Sequence, residues 1–239
     1  MLFRSSCLDF ISFPLIFDEN MSLIRAILSF LLSTMVLTFG QDSSKASFQF
    51  STLMPIPDLS FFNQVYTGLD ILEQMDFKPL EGKSIALYTN QTAVNRNGNH
   101  IRDLLKNVPS VNVSVLLAPE HGIWGLDDSR AKLVGREQVD PLHGAPIIDL
   151  FSTYVYPPHW VMDKVDLILI DFQDTGSRYP TYLATMSKIF ETASERRIPV
   201  MVLDRPNPLR GDIVDGPVPR TEFQSFESYH LFPIRHGLT

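Results

Sequence analysis

Residues 113–125 read Val-Ser-Val-Leu-Leu-Ala-Pro-Glu-His-Gly-Ile-Trp-Gly, VSVLLAPEHGIWG. Val113–Leu117 is first alternating and then continuously apolar, the pattern of a buried strand. Pro119 ends it, because proline cannot donate to a ladder and restricts the residue before it. Glu120 and His121 follow at once, with Gly122 behind them. A core strand that delivers a carboxylate and an imidazole at its C-terminal end is how open parallel α/β sheets present chemistry.

Working outward, strands are expected at Ser84–Thr89, Val165–Ile170 and Val200–Leu203, with a further one at Pro146–Leu150. Between them stand a helical turn at Gly68–Gln74, a helix at Asn99–Lys106 and an amphipathic helix at Thr181–Arg197. The last places Leu183, Met186, Ile189, Phe190 and Ala193 on one side. Leu126–Tyr156 reads as a long excursion over the strand ends. Strand–helix alternation predicts an α/β fold: a Rossmann-like, mostly parallel sheet with helices on both faces. Asn90, Glu120, Asp171 and Asp204 each stand at or just past a strand end, so one rim collects all four.

The chain has 239 residues, 44% of them hydrophobic and 20% charged, with a formal charge of −7. That balance excludes the basic stripe a nucleic-acid partner needs. No GxGxxG or GxxxxGK[ST] occurs, which disfavours a nucleotide-binding domain. The single cysteine, Cys7, supports neither a disulfide framework nor a thiolate zinc site. The six histidines form no HxH or HxxxH pair, so neither metal nor cofactor is expected.

The N-terminal part differs from the rest. Arg25 followed by the apolar run Ala26–Phe39, with Thr38 and Gly40 ahead of Gln41, has the grammar of a secretory signal over residues 21–40. Residues 1–20 carry Asp18 and Glu19 where a basic region belongs, and are read as an early start. The expected organisation is therefore a signal at 21–40, a linker or N-terminal wrap at 41–64 and one domain at 65–239, periplasmic or secreted, touching membrane only through the signal.

At the rim, Glu120 is a candidate general acid or, alternatively, a helix-capping carboxylate. Asp171, Gln173 and Asp174 could hold sugar hydroxyls, or pair with Arg178 and cap the helix near Thr181. Asp204 and Arg205 could form an internal pair ahead of the rigid turn Pro206-Asn207-Pro208. Tyr179 and Tyr182 suit either sugar stacking or ordinary packing.

The segments YTNQTAV (88–94), LLAPEHGIWG (116–125), DFQDTGSRYPTY (171–182), VLDRPNPLRGDIVDGP (202–217) and FPIRHGLT (232–239) resemble the exo-β-N-acetylmuramidases of peptidoglycan recycling. The resemblance implies an exo-acting glycoside hydrolase that releases N-acetylmuramic acid from the non-reducing ends of wall fragments. It makes Glu120 the catalytic carboxylate. It places Asn90, His121, Asp171, Gln173, Asp174, Arg178, Tyr182, Asp204, Arg205, Asn207 and His236 around the substrate. Arg178 or Arg205 would meet the lactyl carboxylate of muramic acid. Inverting, retaining and acetamido-assisted routes all stay open. The family pattern differs from this chain over Leu126–Val139 and at Asp149–Ser152, and it continues past RHGLT into a second domain, which a separately encoded partner could supply. The rival reading is a non-catalytic muropeptide-binding domain.

Overall fold

The computed structural model describes the backbone of residues 10–13 and, in full, residues 65–126 and 138–239. The signal-like segment 21–40 and the linker 41–64 lie outside the described residues. Residues 66–239 and the strand at 10–13 belong to one compact unit.

Its elements in chain order are β1 (Phe10–Phe13), α1 (Gly68–Gln74), β2 (Ser84–Thr89), α2 (Ile101–Lys106), β3 (Asn112–Ala118), β4 (Gln138–Val139), β5 (Pro146–Asp149), α3 (His159–Met162), β6 (Leu167–Asp171), α4 (Tyr182–Arg196) and β7 (Val200–Leu203). They form a seven-stranded sheet ordered β1-β7-β6-β2-β3-β5-β4, in which only the β4–β5 pair is antiparallel. From β2 in the middle of the sheet the chain adds β3 and then β5 on one side. It then crosses to the far side of β2 for β6 and continues outward to β7. The reversal lies between β2 and β6, and that switch point is where open α/β sheets hold their ligands. The edge strand β1 falls within residues 1–20, where the sequence suggested no element.

Side chains along β2 alternate between two cores, as a period of two requires. Ile85 and Leu87 enter one cluster with Leu69 and Leu72 of α1 and Ile101 and Leu105 of α2. Ala86 and Tyr88 enter the other with Val161 and Met162 of α3 and Ile189 and Ala193 of α4. The neighbouring β3 departs from this alternation. Its register against β2 shifts between Ile85 and Ala86, leaving Ser114 as an extra residue whose hydroxyl donates to the Ile85 carbonyl at 3.0 Å. Val113 and Val115 consequently face opposite cores, although two positions apart. That bulge explains why the strand reads as V-S-V and then as an unbroken apolar run.

Helix boundaries follow local chemistry. Thr67 and Asp70 cap α1 reciprocally: Thr67 N donates to Asp70 Oδ2 at 2.9 Å, and Asp70 N to Thr67 Oγ1 at 3.3 Å. The expected helix at 99–106 begins at Ile101 because His100 caps it, its Nδ1 accepting from Arg102 N at 3.2 Å. In α4 the deepest face is Ala184, Thr185, Ile189, Thr192 and Ala193, while Leu183, Met186 and Phe190 are half-buried around it. The inner stripe is thus rotated from the one the large apolar residues suggested. Small residues let the helix approach the sheet, and Thr192 returns its hydroxyl to the Lys188 carbonyl.

Candidate active site

The crevice above the switch point is floored by the end of β2. Asn90 is fully buried there, and its Oδ1 accepts from both Thr92 N (3.0 Å) and Thr92 Oγ1 (2.5 Å). Those two donors fix the amide, so Nδ2 is the group left to present. It is buried and has no hydrogen-bond partner in the structure. The Asn90 carbonyl accepts from His100 Nε2 at 2.9 Å, while His100 Nδ1 is engaged at the α2 cap. The proton of this neutral ring therefore sits on Nε2.

Glu120 comes from the end of β3 on the turn closed by Gly122 N donating to Pro119 O. His121 and Gly122 take φ of 68° and 74°, two consecutive left-handed residues. Such a conformation costs about 1–2 kcal/mol at a non-glycine position. It is what turns the carboxylate back over the sheet instead of letting the chain run on. Glu120 is half-buried, and its Oε2 accepts from Thr181 Oγ1 at 2.7 Å, just ahead of α4. Next to it, burial and then the charge of Glu120 push the Tyr182 phenol above its ordinary pKa, with the nearby Asn90 amide pulling the other way. Tyr182 consequently keeps its proton and remains a donor. Its ring stacks edge-on with Phe172, which does the same with Tyr88. Glu120, Asn90 and Tyr182 thus meet at one place. Thr181 and Thr92 position them, and neither was expected.

On the β6 side, Asp171 is fully buried and meets Arg205 in a two-pronged pair, Nε–Oδ1 2.7 Å and NH2–Oδ2 3.0 Å. Complete burial pushes the Asp171 carboxyl upward, against the pull of Arg205. Arg205 is itself buried, and its NH1 donates to the Val94 carbonyl at 3.1 Å. The pair braces the rim from within. Gln173 N donates to Thr92 Oγ1 (2.8 Å), and its amide bonds the carbonyls of Asp174 and Pro206. Asp174 Oδ2 accepts from Gly176 N at 2.8 Å and lies 3.0 Å from His236 Nε2, short of good hydrogen-bond geometry. His236 Nδ1 accepts from Leu238 N, so His236 and Asp174 hold the final segment against β6.

The remaining expected ligands take similar parts. Arg178 NH1 donates to the carbonyls of Pro217 (3.0 Å) and Phe232 (2.5 Å). Asn207 Nδ2 donates to Leu238 O at 2.7 Å, and Asp204 Oδ2 accepts from Thr239 Oγ1 at 3.3 Å. His121 is exposed at the turn, and Tyr179 is exposed as well. No group of three His, Cys, Asp or Glu side chains suited to a metal ion occurs among the described residues.

Near the end of the Glu120 turn, Trp124 stands 45% exposed. The Arg102 guanidinium lies 4.9 Å from its ring centre and the His100 ring 6.1 Å away. Arg102 is buried and forked onto Asp140 through both Nε and NH2. Burial opposes the charge on Asp140, yet Arg102 holds its carboxyl below the usual range.

Residues 85–239 match the family model described as exo-beta-N-acetylmuramidase NamZ, N-terminal. A curated relative, the peptidoglycan beta-N-acetylmuramidase NamZ of Bacillus subtilis (strain 168), is 37% identical over 176 residues, which is 74% of this chain and 42% of that protein. Two crystal structures of DUF1343 family proteins from Bacteroides fragilis NCTC 9343 share the fold. One has a TM-score of 0.64 at 34% identity, covering 72% of this chain and 43% of its own. The other has 0.57 at 29%, covering 73% and 44%. The chain thus spans less than half the length of each of these proteins, and it belongs to the exo-β-N-acetylmuramidase NamZ family through that family's N-terminal domain.

Proposed function

We propose that this domain holds the terminal N-acetylmuramic acid of peptidoglycan fragments in the crevice between β2 and β6, and that Glu120 acts there in cleaving its β-1,4 bond. The observation that carries the reading is the meeting of Glu120, Asn90 and Tyr182 at the switch point, with the Asn90 amide donor making no well-formed hydrogen bond. Glycoside cleavage needs a proton for the leaving oxygen and a polar partner for the oxocarbenium-like transition state. Glu120 supplies the first. Asn90 Nδ2 is oriented for an acceptor on the sugar, such as the acetamido carbonyl or a ring hydroxyl. Of the two guanidiniums considered for the lactyl carboxylate, Arg205 is committed to Asp171 and Val94 on all three nitrogens, which favours Arg178.

The apolar run 26–39 supports export to the periplasm or beyond. The chain spans 42% of the B. subtilis relative, and a second reading is that its residues bind muropeptides without cleaving them. The test is release of the aryl group from an aryl β-N-acetylmuramide by the full chain and by Glu120→Gln. Turnover lost in Glu120→Gln supports the assignment. Turnover that survives the substitution refutes Glu120, and binding of the sugar without turnover establishes the second reading.

A further inference from the structure

Trp124 is the described residue of the rim whose burial and surroundings fit least well with a purely structural part. An indole left 45% exposed on a turn is normally free to move, yet this one is backed by two immobilised groups. Arg102, 8% exposed, is forked onto Asp140, which is fully buried. His100, 9% exposed, is fixed at both ring nitrogens by Asn90 O and Arg102 N. A cation against one face of an aromatic ring is worth about 0.5–2 kcal/mol and holds the ring's orientation. The other face is the one left to solvent.

Its place in the fold matters equally. Trp124 lies four residues after Glu120 on the same turn. Glu120 leans inward to Thr181, at the α4 end of the crevice. Trp124 rests on the α2 end, over His100, which also holds the Asn90 carbonyl. In an exo-acting enzyme the terminal sugar sits deep, and the bond to be broken points toward the mouth. A partly exposed ring on the turn that carries Glu120 is placed to meet the sugar on the other side of that bond.

We propose that Trp124 is a stacking platform for the leaving-side sugar, an N-acetylglucosamine-type pyranose whose apolar C–H face lies on the exposed face of the indole. The proposal rests on the muramidase reading above. Trp124 makes no bond to the reacting atoms; it sets affinity and register for a sugar-linked leaving group.

The test compares two substrates of the full chain. One is N-acetylmuramic acid β-1,4-linked to N-acetylglucosamine; the other is the β-fluoride of N-acetylmuramic acid, whose leaving group has no ring. Trp124→Ala is expected to lower kcat/KM on the disaccharide about tenfold, mostly through KM, as the loss of one aromatic stacking contact implies. It should leave the fluoride within about twofold, and Trp124→Phe should restore most of the disaccharide loss. Equal losses on both substrates, or none on either, overturn the platform. If the full chain cleaves neither substrate, binding decides. Trp124 and Trp160 are the only tryptophans, so Trp160→Phe in a Glu120→Gln background makes Trp124 the sole indole reporter. A change in its emission on disaccharide titration supports the platform. Binding seen by calorimetry with unchanged emission overturns the platform alone, and no binding overturns both readings.

Discussion

Removing the Arg205 guanidinium leaves the Asp171 carboxylate, fully buried in the sheet's rim, without its partner. The pair makes two close contacts, at 2.7 and 3.0 Å, and both members are screened from water. Breaking such a pair from one side costs about 3–5 kcal/mol, because the surviving charge stays buried and uncompensated. In a domain of this size each kcal/mol moves Tm by about 2–4 °C, so Arg205→Ala should melt roughly 6–20 °C below the parent chain. Replacing both members, as Asp171→Leu with Arg205→Met, removes the uncompensated charge and should recover most of that loss. Far-UV circular dichroism melts of the parent, Asp171→Leu, Arg205→Met and the double variant close a double-mutant cycle, in which the expected coupling is at least about 1.5 kcal/mol. If Arg205→Ala melts with the parent while losing affinity for the muramyl sugar, Arg205 is a substrate ligand and the bracing argument is wrong.

A β-carbon at Gly68 would lie 2.6 Å from Asp204 N and Leu203 Cα, both backbone. Gly68→Ala should therefore lower the stability read from urea unfolding by up to about 2 kcal/mol, the cost of overpacking less the roughly 1 kcal/mol that alanine gains in a helix; a raised midpoint would show that α1 can simply lift. Asp140 is held below the ordinary carboxylate range by Arg102 against its burial, so its contribution is complete above the unfolded value and lost as pH falls through the lower folded one. The stability gap between the parent chain and Asp140→Asn should accordingly shrink below about pH 4, and a gap unchanged down to pH 3 in urea titrations refutes that pairing.

Much of the frame is legible in the sequence because it rests on local signals. Ser84–Thr89 and Val200–Leu203 occupy the expected residues, and the strand read at 113–117 extends by one residue at each end. Apolar runs bounded by proline or glycine suffice to place these. The strand order is not local. Nothing in the text of β6 says that it returns to the far side of β2, and that crossing is what brings Asp171 and Asn90 to one crevice. The same holds for charge. Asp171 and Arg205 are 34 residues apart, and Arg102 and Asp140 are 38 apart, so spacing could not tell a buried pair from two ligands. Arg178 shows the difficulty most clearly. Its position in GSRYPTY marks it as rim-facing, while its NH1 turns to the backbone of the segment near Phe232. Trp124 was in plain view in the PEHGIWG run, but its support comes from α2 and could be found only in three dimensions.

The charged residues of the rim therefore divide by whether another part of the chain already satisfies them. Two Arg–Asp pairs flank the β2 crevice, Asp171–Arg205 toward β7 and Arg102–Asp140 below Trp124. Gln173, Asn207 and His236 tie loops to one another. Each such tie removes a group from the list of substrate contacts and adds stiffness beneath those that remain. Besides Arg178, whose NH1 is tied but which is the proposed partner of the lactyl carboxylate, what remains for the proposed substrate is small: the Asn90 amide, the Glu120 carboxylate with its single Thr181 donor, the Tyr182 hydroxyl and the outer face of Trp124. A site gains precision when its contact groups are few and their supports are locked. On that ground, substitutions in the ties should change stability first and substrate affinity second, while substitutions in the four contact groups should change affinity or rate with little effect on melting. A rim in which Arg205→Ala and Trp124→Ala gave the same balance of stability and affinity losses would not be organised this way.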